Sequence, residues 1–161
     1  MIITVEDIKK HRPVADNLDE ARRLNTYIKE AENLYIVPNL GAKLYKDISE
    51  HPENHTILLD GGYYNEDKCY FEGLKAALSL LAYARFVKNN ELNVTPFGIK
   101  FKVGMDSGQM DNAYLIRHAN EAENTGLSYL KGCVDYVKFN EADCCKDHSL
   151  KTVKKYKVIG L

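Results

Sequence analysis

LSLLAYARFVKNNELNVTPFGIKFKVGMDSG, residues 78–108, changes its periodicity halfway along. Between Leu74 and Val87 only Lys75, Ser79 and Arg85 are strongly polar. A helix that is apolar nearly all round is buried on several sides. The reading is therefore a central helix from about Glu66 to Lys88 that serves as the hub of the core. Ala76, Ala77, Ala82 and Ala84 permit close approach of other helices, and Asn89 or Asn90 can take the left-handed conformation that ends it. Thr95-Pro96 then forces extended backbone. Phe97, Ile99, Phe101 and Val103 alternate with Gly98, Lys100, Lys102 and Gly104, the period of a half-buried strand. A lone strand leaves its backbone donors and acceptors unpaired. This arm, about residues 92–108, must find a partner in the C-terminal tail, in a poor local hairpin or in another subunit, and the last would make it an assembly device.

Outward from the hub, the remaining segments read as helices. Thr4 caps a short one whose first turn carries Glu6 and Asp7, and Pro13 stops it near His11. Asp16 or Asn17 caps the next, on which Ala21, Leu24, Ile28, Ala31 and Tyr35 form one apolar stripe. Val37-Pro38-Asn39 is expected to break it. A short helix from about Leu40 to Ser49 follows, closed by His51-Pro52, and then a loop to Gly61-Gly62 with a weak strand signal at Thr56 to Leu59. Asp111 or Asn112 starts the longest helix, to about Phe139. Its apolar face is Leu115, Ala119, Ala122, Gly126, Tyr129, Leu130, Cys133 and Val137. Gly126 and Gly132 each cost up to about 1 kcal/mol there, which tight packing against a neighbour would justify. The fold class is mainly α: a helical bundle around a buried central helix, with one β-like arm and a C-terminal arm. Residues 1–140 form the helical domain. Residues 141–161 form a basic tail carrying Lys146, Lys151, Lys154, Lys155 and Lys157 and ending YKVIGL.

The 161 residues suit one domain with a real core. With 22 basic and 23 acidic residues the net charge of -1 gives no support to bulk nucleic-acid binding. The four cysteines, two of them adjacent, make a poor disulfide framework, and the N-terminus has too short an apolar run for a secretory signal. Synthesis in a reducing cytoplasm is the expectation. No segment reads as a membrane span.

Sites of chemistry are weakly represented. Cys144-Cys145-x-x-His148 lacks the spacing of a zinc knuckle. His11, His51, His55, His118 and His148 are scattered. Asp60-Gly61-Gly62 lacks the lysine and glycine spacing of a phosphate loop and reads as a turn. Arg85, set among apolar neighbours, either pairs with a buried carboxylate or snorkels from the helix end, and the second reading is favoured. No catalytic, cofactor-binding or metal-ligating residue is assigned, and no cofactor is expected.

The succession VEDIKKHRPVADNLD, IVPNLGAKLYKDI, LLDGGYY and FEGLKAALSLLAYARFVKNNELNVTPFG resembles the small head-to-tail connector (adaptor or ring) proteins of tailed bacteriophages, in particular those of crAss-like gut phages. The resemblance covers roughly residues 2–139, and GLKAALSLLAYARFVKNN followed by NVTPFG is its most specific part. It implies a helical protein that forms a ring, usually of about twelve copies, beneath the portal and around the DNA channel. It further implies a virion location in the neck or tail region and synthesis in the host bacterial cytoplasm. Its partners are then its own copies, a portal protein and downstream tail or ring proteins, with non-specific DNA contact in the channel and no membrane. The interface candidates are Phe97, Ile99, Lys100, Phe101, Lys102 and Val103 on the arm, and Tyr156, Val158 and Ile159 in the tail. The alternative of another class is a small cytoplasmic helical enzyme or ligand-binding domain with a pocket near Tyr83, Arg85 and His118.

Overall fold

The computed structural model describes residues 1–12, 18–89, 92–95, 98–101 and 112–144. Helix α1 spans Val5–His11 and α2 Leu18–Ala31. The Asp7 carboxylate accepts from both the N–H and the hydroxyl of Thr4 at 3.0 Å, closing the expected N-terminal cap of α1. The apolar stripe of α2 is seated in the core, with Leu24, Ile28 and Ala31 fully buried.

Pro38 does not break the chain as expected. A π-helical turn, Glu32–Ile36, leads into α3 (Val37–Leu40), which contains Pro38 near its start. The Val37 N–H bonds the Glu32 carbonyl, five residues back. The widened turn gives the backbone room where proline has neither an N–H to donate nor space against the preceding turn. The buried Glu32 side chain pins two neighbours: it accepts from the Ile2 N–H at 2.6 Å and from the Tyr45 hydroxyl at 2.9 Å.

Helix α4 (Ala42–Glu50) ends at His51, as read. The stretch after it is not a loop with a strand signal. It is a 3-10 turn, Pro52–His55, running into α5 (Thr56–Asp60), whose Leu58 and Leu59 are buried. The adjacent apolar positions serve one helical face here because the neighbouring core lies on that side.

The central helix α6 is Leu74–Asn89, not Glu66 to Lys88. The residues before it make a β-hairpin, β1 (Gly62–Tyr64) against β2 (Cys69–Phe71), with Tyr63 opposite Tyr70. The acids at Glu66 and Asp67 sit at its tip, where Asn65, Glu66 and Asp67 all have positive φ of 54–61°. Two glycines explain the boundary. Gly61 and Gly73 have φ of +84° and +87°, and a Cβ on Gly73 would lie 2.4 Å from the Gly61 nitrogen. The chain crosses itself there at backbone contact, so the helix begins only at Leu74.

Helix α7, Asn112–Cys144, runs past the expected end near Phe139. At ~1.5 Å per residue it is roughly 50 Å long. Its pairings with the preceding chain fall as the partner number rises: Tyr136 stacks on Phe71 at 4.7 Å, Gly126 meets Leu81, and His118 meets the Tyr83 ring. The two helices are therefore antiparallel. Gly126 shows why the small residue is there, since a Cβ would lie 2.9 Å from Leu81 Cγ and 3.1 Å from the Ala77 carbonyl oxygen. Residues of α1, α2, α4, α5 and α7 join α6 in one continuous core. The protein is a mainly helical bundle around a buried central helix, as read from the sequence.

Candidate interaction surfaces

The arm is a β-hairpin. Strand β3 (Leu92–Thr95) pairs antiparallel with β4 (Gly98–Phe101), with Leu92 opposite Phe101, Asn93 opposite Lys100, Val94 opposite Ile99 and Thr95 opposite Gly98. Of the three partners open to the strand, the local one is used. The sequence places residues 92–95 in the arm without a strand of their own, because a clean period of two begins only at Phe97. Ile99, Lys100 and Phe101 lie on β4. Phe97, Lys102 and Val103, with Tyr156, Val158 and Ile159 of the tail, lie outside the described residues.

The hairpin's position follows from the antiparallel helix pair. Tyr83 faces His118, so the same register brings the end of α6 at Asn89 opposite the start of α7 at Asn112. Helices that end side by side need a connection of only about 2–8 residues. Residues 90–111 far exceed that. Strands β3 and β4 pair with each other along their full length.

A second surface is an open groove of about 790 Å³ between α4, α5 and the last turns of α7. Its floor is apolar, with Leu44, Ile57 and Val137, and Ile57 is 51% exposed. Its rim carries Asp47, Glu50 and Glu141, along with Lys43 and Lys46. One wall is held by an aromatic cluster in which Tyr64 lies 5.5 Å from Tyr136 and 5.4 Å from Phe139. The other wall is tied by His55, whose Nε2 is 2.8 Å from an Asp47 carboxylate oxygen. Nothing in sequence spacing joins residues 43–58 to 136–141. A third patch is the exposed Tyr63–Tyr70 pair on the first hairpin, centroids 5.0 Å apart.

The alternative site around Tyr83, Arg85 and His118 takes a different form. Arg85 does not snorkel. It is half-buried, and its Nε and Nη2 donate to Glu30 Oε2 at 2.9 and 2.5 Å. Burial opposes its charge, but the Glu30 carboxylate outweighs that and raises its pKa. Nearby, the Tyr35 hydroxyl donates to Glu123 at 2.6 Å and Lys88 donates to the same carboxylate at 2.5 Å. Lys88, then Tyr35, hold Glu123 below the usual carboxylate range. Burial, then Glu123, push the Tyr35 phenol up. These charges neutralise one another and tie α2, the π turn, α6 and α7 together. His118 lies between the rings of Tyr83 and Tyr114. The favoured exit for Arg85 failed because its partner is on another helix, invisible to local spacing.

The remaining candidates stay apart. His11 and His51 are exposed, and His51 lies 3.6 Å from Glu53. Asp60 accepts from Lys75 at 2.7 Å beside the Gly61 turn. No group of three His, Cys, Asp or Glu suited to a metal ion occurs among the described residues. The side chains of Cys144, Cys145 and His148 lie outside them. No described helix is long and apolar enough to cross a membrane. Against known proteins, the model of the Family of unknown function (DUF6712) matches residues 36–145, from the end of the π turn through α7. No curated protein and no solved structure matches the chain.

Proposed function

From the premise that the chain belongs to DUF6712, a family of unknown function, we propose that it is a structural assembly protein, a head-to-tail connector of a tailed bacteriophage. In this reading it has no catalytic role. It binds its own copies in a ring, closed by rotational symmetry at about twelve subunits, and joins a portal protein to the next tail component. It acts in the virion neck after synthesis in the host cytoplasm, and its lysines meet DNA only through the phosphate backbone.

The observation that carries this reading is the arm. A β-hairpin lies between the ends of an antiparallel helix pair that needs no such connection. A paired hairpin still has two outer edges able to accept another strand. The resemblance carried by GLKAALSLLAYARFVKNN and NVTPFG supplies the ring and the portal. The neutralised Arg85–Glu30 and Lys88–Glu123 pairs suit a structural role better than a reactive centre.

The test is native mass over a wide concentration range, alone and with a portal protein from the same genome, for the parent and for Ile99→Asp with Phe101→Asp. A closed ring that forms with the parent, and is lost in the variant at unchanged thermal stability, is the expected result. A chain that stays monomeric and ignores the portal overturns the reading.

A further inference from the structure

We propose that the groove between α4, α5 and the end of α7 is the docking site of the chain's own C-terminal segment. Tyr156, Val158 and Ile159 would lie on its apolar floor and the tail lysines on its rim. This inference does not rest on the connector reading.

Three observations converge on it. The first is where the chain goes. Asn140 and Glu141 line the groove, and α7 ends at Cys144, less than one turn further on. Helix α7 therefore ends at the groove's lip. Residues 145–155 span up to roughly 36 Å when extended, ample to turn back and set Tyr156 to Leu161 on a floor about one helical turn away.

The second is apolar match. Ile57 is a large aliphatic side chain half open to water in a groove that Leu44 and Val137 also line. Removing such a surface from water is favourable. YKVIGL is the apolar end of an otherwise lysine-rich tail.

The third is charge. The rim has three carboxylates, Asp47, Glu50 and Glu141, against two lysines, and Lys46 is itself 3.7 Å from Glu50. The tail brings Lys146, Lys151, Lys154, Lys155 and Lys157 against one acid, Asp147. The carbonyl end of α7 adds partial negative charge on the same side. Tethering gives the chain's own tail an effective concentration on the order of millimolar, well above a free partner at micromolar.

The test is photocrosslinking in the full-length chain with benzoylphenylalanine at Ile57, using unlabelled and isotope-labelled copies refolded together. The expected product joins the residue-57 peptide to the tail peptide containing Val158, with both halves of one label. Val158→Asp with Ile159→Asp should lower its yield at least about five-fold. The same probe at Ile116, toward the far end of α7, should give little of it. No tail product from position 57, or an equal yield from position 116, overturns the proposal. Products joining labelled to unlabelled halves also overturn it, because the groove then takes the tail of a second copy.

Discussion

Asp7 lies one helical turn into α1, and its carboxylate holds Thr4 while Lys10 donates to it at 2.9 Å. Burial works against its charge, but the bonds from Lys10 and Thr4 prevail and lower its pKa to about 2. A carboxylate depressed in the folded state stabilises above its unfolded pKa near 3.8, and that contribution is lost as pH falls toward 2. Because Lys10 is exposed and screened, the effect is about 1 kcal/mol rather than the full value of the shift. Asp7→Asn should therefore lose about that much at pH 7 and show a flatter decline between pH 4 and 2 in chemical denaturation. Cys133 offers a second test at this scale. It is fully buried, and burial pushes its thiol up to about 12. Iodoacetamide at pH 8 should label Cys69, which is half-buried, well before Cys133, whose modification should follow global unfolding.

The elements are joined by close approach and by buried acceptors. Gly126→Ala would gain roughly 1 kcal/mol of helix propensity yet push its methyl group into Leu81 and the Ala77 carbonyl, a backbone atom that yields little. A net loss of about 1 kcal/mol is expected. Gly132→Ala meets only Phe71 Cβ at 3.1 Å and should cost less. Urea titrations of the two variants order them. Glu32 works between elements, tying the N-terminal segment and α4 to the π turn. Glu32→Ala would leave the Ile2 N–H and the Tyr45 hydroxyl without their acceptor, at about 1–3 kcal/mol. Proteolysis should then begin within the first four residues, ahead of any cleavage in the bundle.

Across the whole molecule, the bundle and the arm are expected to separate. Leu78 is fully buried in α6, and Leu78→Ala should cost about 2–5 kcal/mol in thermal or chemical unfolding. Replacing residues 90–111 by a short glycine-serine loop should instead leave the bundle folded, because Asn89 and Asn112 already lie opposite each other. If the arm is the assembly device, that chain keeps its circular dichroism and unfolding midpoint but no longer forms rings. A collapse of the bundle on loop replacement would mean that the arm is part of the core.

The sequence by itself determined the helical class, the apolar hub at Leu74 to Val87, the cap at Thr4, the face of α7 and a strand through Ile99 and Phe101. Each rests on side-chain periodicity or on a local hydrogen bond, which a single segment carries within itself. Even the reason for Gly126 was legible in kind, because a glycine in a long helix calls for a close neighbour, though not in identity. Only the tertiary structure decided the rest. The first hairpin begins α6 late because Gly61 and Gly73 touch across the chain. Pro38 is carried inside a helix because a π turn accommodates it. Arg85 is paired because packing brings Glu30 of α2 against α6. The groove exists because an aromatic cluster ties the end of α7 to the first hairpin, whose strand β1 follows directly on α5. These features are contacts between residues distant in sequence, and their energies depend on distances that no local pattern encodes.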